Sequence, residues 1–213
     1  MSVSPHEQVG HQFKPWRTTV DAERQGRFHS AAEIDMALFG TTVDVSVLAN
    51  DCLHGARPRG SLGAKRLHVG VRVRQARGIE LGEELMVAAQ VDAIRPERRG
   101  RYIDVGFRFC GVDGSVLVEM AHQSLILDAP PGKAKFKRIE KPERKEAFVR
   151  LRRVAISPSM VKGYSFEFPH LPAHHDPEAA TAIGMRAPIA QGLMGFGLLF
   201  QEAVRDGWHR CST

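Results

Sequence analysis

Residues able to transfer protons or hold a metal crowd into one stretch, 164–197, which reads YSFEFPHLPAHHDPEAATAIGMRAPIAQGLMGFG. It contains His170, His174, His175 and Asp176, with Glu167 just upstream. Imidazole titrates near neutrality, so a histidine here is the expected acid/base, and Glu167 and Asp176 are the carboxylates that could assist it. His170 and His174 have the i, i+4 spacing of two zinc ligands on a helix face. Pro169 and Pro172 make the stretch a loop instead, and no metal site is expected. Cys52, Cys110 and Cys211 are far apart, odd in number and lack CxxC spacing, so neither a disulfide framework nor a thiolate zinc site is expected.

Two helices must hold these groups. Pro177 is a helix-start signal for a short helix over Glu178–Ala182 closed by Gly184. Pro188 is expected to open a second, spanning 188–205, with Ile189, Leu193, Phe196, Leu199, Phe200 and Val204 on its apolar face. Gly192, Gly195 and Gly197 weaken that helix by about 1 kcal/mol each relative to Ala, so other elements must surround it.

The segment HHDPEAATAIGMRAPIAQGLMGFG resembles the signature of the MaoC-like, or (R)-specific enoyl-CoA hydratase 2, family. In that family a catalytic His is followed by x-Asp-Pro, a Gly ten residues after the His, and Pro-Ile-x-His-Gly-Leu. His174 falls on the catalytic histidine, Asp176 and Pro177 on the x-Asp-Pro, Gly184 on the distal glycine, and Pro188, Ile189, Gly192 and Leu193 on the last group.

The resemblance implies a hotdog fold, an antiparallel sheet wrapped around a helix, in a double arrangement whose first hotdog binds the acyl chain and whose second carries the motif. It implies reversible hydration of a 2-enoyl thioester, a lyase reaction of fatty acid metabolism. His174 and Asp176 would be catalytic and Ile189, Gln191 and Gly192 would bind substrate. Coenzyme A or an acyl carrier would enter as part of the substrate, with no resident cofactor. A homodimer or a hetero-oligomer with another hotdog subunit is expected.

Three positions depart from the pattern. The family's Asp-x-Asn-Pro-x-His places Asp and Asn where this chain has Pro169 and Leu171, and Gln191 stands for the His of Pro-Ile-x-His-Gly. Adding water to an enoyl thioester needs a base, an acid for the α-carbon and donors for the developing enolate oxygen. Two readings therefore stay open: a hydratase with a degraded motif, or a non-catalytic subunit that binds acyl thioesters or a catalytic partner.

The elements that position the motif are read from periodicity. From Lys65 to Leu127 apolar and polar residues alternate in four blocks separated by turn residues, an antiparallel meander with one buried face. Leu67, Val69, Val71 and Val73 are the apolar side of the first block, Leu85 to Ala93 form the second, Ile103 to Phe109 the third and Val116 to Leu127 the fourth. Asp113-Gly114 marks a hairpin turn. Ala22–Phe39 carries Phe28, Ala32, Met36 and Phe39 at helical spacing, whereas Thr41–Leu53 fits either strand or helix. Phe148–Ile156 returns to strand-like alternation.

The chain divides accordingly into an N-terminal hotdog-like unit (1–128), a basic Pro/Lys linker (129–147) and a partial C-terminal hotdog (148–213). The fold class is α+β. Only 21 residues follow Gly192, so the second hotdog is expected to be incomplete. Its helix must then dock on the first sheet or take a sheet from another subunit.

Composition narrows the function. The 213 residues are 43% hydrophobic and 25% charged, enough for a real core. Thirty Lys and Arg against 24 Asp and Glu leave a net charge of +6, but no nucleic-acid motif accompanies them. A phosphate-bearing thioester carrier is the anionic partner expected, drawn by Arg72, Arg74, Arg98, Arg99 and Arg101. No apolar run approaches the ~18 residues of a membrane helix. Pro5, His6 and Glu7 interrupt any leader, and a cytoplasmic location is expected.

Overall fold

Alternation places four of the five strands, and the register explains which face each one buries. The computed structural model describes residues 8–55, 66–97, 100–127, 150–182 and 185–207. The strands are β1 (Trp16–Thr18), β2 (Arg66–Gln75), β3 (Leu85–Glu97), β4 (Gly100–Cys110) and β5 (Val116–Leu127). All pair antiparallel in the order β1-β3-β4-β5-β2. The β4–β5 hairpin closes at Gly114, whose φ of +80° is the left-handed conformation that favours glycine. The expected linker, 129–147, lies outside the described residues.

The buried face comes from Val87, Ala89 and Val91 of β3, Ile103, Val105, Phe107 and Phe109 of β4, and Val118 and Met120 of β5. Against it lies α2 (Val45–Gly55), which settles the ambiguity at 41–53 in favour of helix. Asp44 starts it: its Oδ1 accepts from the Ser46 N–H (2.8 Å). Every residue from Val45 to Cys52 is buried. A helix buried all round is one that a sheet wraps, and this is the hotdog arrangement.

Before the C-terminal helices, three expectations change. The helix read over 22–39 is two pieces, α1 (Ala22–Ala32) and a 3-10 turn at Met36–Leu38. Glu33 between them has φ +54°, and the Asp35 carboxylate accepts from the Ala37 N–H to start the turn afresh. The described residues of the 148–156 stretch form no strand.

The third change is in β2. A bulge between His68 and Gly70 reverses its inward face. His68 therefore turns inward opposite Ser124, while Leu67 and Val69, assigned above to the buried side, are 47% and 46% exposed. The extra residue cannot be seen in a pattern whose apolar letters continue unbroken.

Beyond the sheet follow α3 (Pro158–Tyr164), α4 (Pro177–Ala182) and α5 (Gly192–Arg205). α5 begins four residues later than Pro188 suggests, because 188–191 are non-helical and Gln191 is its N-cap. It docks on the first half of the chain, chiefly on α2, burying Leu193, Met194, Gly197, Gln201 and Val204. Phe200 stacks on Phe39 (6.3 Å between centroids), and Leu199 remains 74% exposed. One apolar cluster thus joins Met160, Tyr164, Leu193 and Met194 to the strands.

The glycines of α5 differ in purpose. A Cβ on Gly197 would stand 3.2 Å from both Ile34 Cδ1 and Ser46 Oγ, whereas one on Gly195 meets nothing within 4 Å. Gly197→Val is expected to destabilise by about 1–3 kcal/mol through overpacking. Gly195→Ala is expected to stabilise by about 0.5–1 kcal/mol through helix propensity. Urea denaturation of the two variants checks both signs.

Candidate functional site

The histidine-bearing loop is a run of tight turns. Backbone N–H groups of Phe168, Leu171 and His174 donate to the carbonyls of Ser165, Phe168 and Leu171 (2.9, 2.9 and 3.1 Å), and those of His175 and Asp176 return to Pro172. Each turn starts where the previous one ends, so the chain advances through the loop by successive backbone hydrogen bonds. Asp176 then opens α4: its Oδ1 accepts from the N–H groups of Glu178 (2.8 Å) and Ala179 (3.4 Å).

After α4 the chain comes back alongside the loop. The Ile189 N–H donates to the Ala173 carbonyl (3.0 Å), and His174 Nδ1–H donates to the Ile189 carbonyl (2.5 Å). In the neutral ring this bond puts the proton on Nδ1, so Nε2 holds the lone pair. Gln191 is buried, and its amide donates to Ser165 Oγ (3.1 Å), whose hydroxyl donates to the Val161 carbonyl (2.8 Å). Gly192 opens α5 against β2, where a Cβ would lie 3.0 Å from His68 Nδ1.

His174, Ile189, Gln191 and Gly192 are therefore parts of one stitched unit at the start of α5. A helix N-terminus attracts partial negative charge through its first N–H groups, and a carbonyl oxygen is the simplest ligand for it. Asp176 faces its own helix, and His170 is exposed. Among the described residues no group of three or more His, Cys, Asp or Glu is placed to hold a metal.

Glu167 is committed elsewhere. Its Oε1 and Oε2 accept from Arg24 Nε (2.6 Å) and Nη2 (3.0 Å), and Oε2 also meets His54 Nε2 (3.0 Å). Arg24 in turn donates to both oxygens of Asp51, which also accepts from the Thr18 hydroxyl. Burial pulls the Glu167 carboxyl upward, but hydrogen bonds from His54 and Arg24 outweigh it and hold the group at about 2. A carboxylate so stabilised is a poor base, so the assistance imagined for Glu167 is not what its surroundings suit.

Sequence reading missed the second pair of histidines. His68 and His122 face inward with ring centroids 5.0 Å apart, and His122 is 4% exposed against Phe107. Both ring nitrogens of His122 lack a partner among the described residues. Burial, then the neighbouring His68 and Arg66 charges, push its pKa down to about 3. The available signal was a histidine at an inward position of β5, which register alone identifies.

No protein-family profile matches the sequence, and no curated protein matches it. Solved structures do. One described as a MaoC-like dehydratase aligns with a TM-score of 0.73 at 16% identity, over 96% of this chain and 79% of its own. A MaoC-like dehydratase from Phytophthora capsici aligns at 0.66 and 18% identity, over 92% and 74%. The full-length peroxisomal multifunctional enzyme type 2 of Drosophila melanogaster aligns at 0.66 and 13%, over 92% of this chain and 37% of that one. The shared feature is the hotdog fold, as the motif implied. Among the described residues no helix is long and apolar enough to cross a membrane.

Proposed function

We propose that this hotdog protein is an acyl-thioester hydratase or dehydratase, adding water reversibly across the double bond of a 2-enoyl thioester. The observation that carries the reading is the bond from His174 Nδ1–H to the carbonyl of Ile189, a residue three positions before the glycine that opens α5, which leaves the lone pair of the neutral ring on Nε2. In the forward direction Nε2 takes a proton from water as its oxygen bonds to the β-carbon. The electrons of the C=C bond move toward the thioester oxygen, which the first N–H groups of α5 receive. The imidazolium then returns a proton to the α-carbon, so one water adds and the histidine ends neutral.

With Pro169 and Leu171 in place of the family's Asp and Asn, His174 serves as both base and acid. Ile189 and Gln191 shape the substrate side, and Asp176 holds the loop through α4. The thioester carrier, coenzyme A or an acyl carrier, supplies the anionic group, and pairing with a second hotdog subunit suits the exposed Leu199. The same two replacements favour the second reading, a subunit that binds acyl thioesters without turning them over.

Hydration of crotonyl-CoA, followed at the enoyl absorbance, separates the readings. Wild type is expected to turn over and His174→Ala to lose about 10²-fold or more in kcat. Equal rates in both would remove His174 from the mechanism. Binding of butyryl-CoA without any hydration by wild type would establish the second reading.

A further inference from the structure

The residues leading into the histidine loop are anchored by their side chains. Tyr164 is buried against Phe28 (4.9 Å between centroids), Arg27 covers the Phe166 ring at 3.8 Å, and Phe168 is buried with His54 stacked on it at 4.4 Å and 6°. Glu167, between them, takes the fork of Arg24 and the ring of His54. Beyond Phe168, Pro169 and His170 are exposed, and the path to His174 consists of the successive turns 168–171 and 171–174. Short hydrogen-bonded turns have few internal degrees of freedom, and they are the covalent and hydrogen-bonded path from Glu167–Phe168 to the imidazole six residues later. The stitches from Ile189 and Gln191 hold the loop to α5, and the Glu167 cluster, beside the ring contacts of Phe166 and Phe168, ties it to α1 and α2.

We infer that the Arg24–Glu167 ion pair, backed by Asp51 and His54, is the clamp that sets the His174 imidazole, making Arg24 and Glu167 positioning residues. Its kinetic consequence rests on the hydratase reading above; its structural one does not. Arg24 suits the task because its planar fork engages Glu167 and Asp51 through four contacts of 2.6 to 3.2 Å, fixing direction as well as charge. Lysine would keep the charge and lose the direction.

The test uses Glu167→Gln, Arg24→Lys and the milder His54→Gln, which removes the imidazole that meets Glu167 and stacks on Phe168, with Glu84→Gln as the control. Glu84 pairs with Arg17 on the surface. Two readouts are taken: kcat and KM for crotonyl-CoA hydration, and the imidazole nitrogen signals of His174 by NMR, assigned with His174→Ala. The clamp predicts that Glu167→Gln and Arg24→Lys shift the His174 signals and lower kcat about tenfold or more with KM within twofold. His54→Gln should do the same to a lesser degree, and Glu84→Gln should do neither. Unchanged His174 signals in folded Arg24→Lys and His54→Gln would overturn the clamp whatever the activity. Shifted signals in a protein that never hydrates crotonyl-CoA would sustain the clamp and sink the hydratase reading.

Discussion

Arg24→Met is expected to cost about 3–5 kcal/mol, because it removes the cation and leaves two carboxylates facing each other. The side chains of Glu167 and Asp51 are only 13% and 10% exposed, and that of Arg24 18%. Solvent cannot replace the lost guanidinium, and the Asp51–Glu167 repulsion is no longer neutralised. The measurement is urea denaturation at pH 7. Restoring neutrality in the triple variant with Asp51→Asn and Glu167→Gln should recover most of the loss, since polar amides tolerate proximity that carboxylates do not. A loss below about 1 kcal/mol would mean that the network behaves like an exposed surface pair.

The pH dependence follows with a definite sign. Glu167 is held at about 2, below the ordinary 4.5, so its contribution is complete above about 4.5 and lost as pH falls through 2. Asp51 works the other way: its deeper burial keeps its carboxyl above the ordinary range, and the bonds from Arg24 and Thr18 do not fully offset the desolvation. In Arg24→Met the stabilisation from Glu167 disappears first. Acid should therefore stabilise the variant relative to its value at pH 7 as the two carboxyls take up protons.

The second large effect belongs to His122. Its folded pKa of about 3 lies below the ordinary 6.5, so the unfolded chain binds the proton more readily between those values. The neutral ring's contribution is whole above about 6.5 and is lost as pH falls toward 3, a loss on the order of 3–5 kcal/mol. His122→Leu removes that titration, and wild type and variant should diverge steadily across the window. At pH 7 the variant should also gain about 1–3 kcal/mol, because leucine removes the two buried ring nitrogens of His122 that lack a hydrogen-bond partner among the described residues. Parallel stability profiles of the two proteins between pH 7 and 4 would refute the assignment, with the exposed His170→Gln as the control.

These two effects sit at places that local pattern reading reaches unequally. The meander was readable because a half-buried antiparallel strand must alternate, and Leu85–Val91, Ile103–Phe109 and the Asp113-Gly114 turn each carry that constraint within a few residues. The helix-start at Pro177 and the His174 to Gly192 spacing were readable for the same reason: they are short-range. α2 was ambiguous because a helix buried on every side has no amphipathic period to show.

By itself, then, the sequence determined the strand blocks, the histidine-bearing loop with its resemblance to the hydratase signature, and the Pro169 and Leu171 that stand where that signature has Asp and Asn. Tertiary structure alone decided the rest. The bulge beside Val69 brought His68 inside to meet His122, and no local preference marks a one-residue slip that depends on the partner strand. Glu167 met Arg24 across 143 residues of chain, turning an apparent candidate base into an anchor. The physical reason is common to both: periodicity encodes which face a residue occupies, whereas a charge or a ring nitrogen acquires its chemistry from whatever the fold places opposite it.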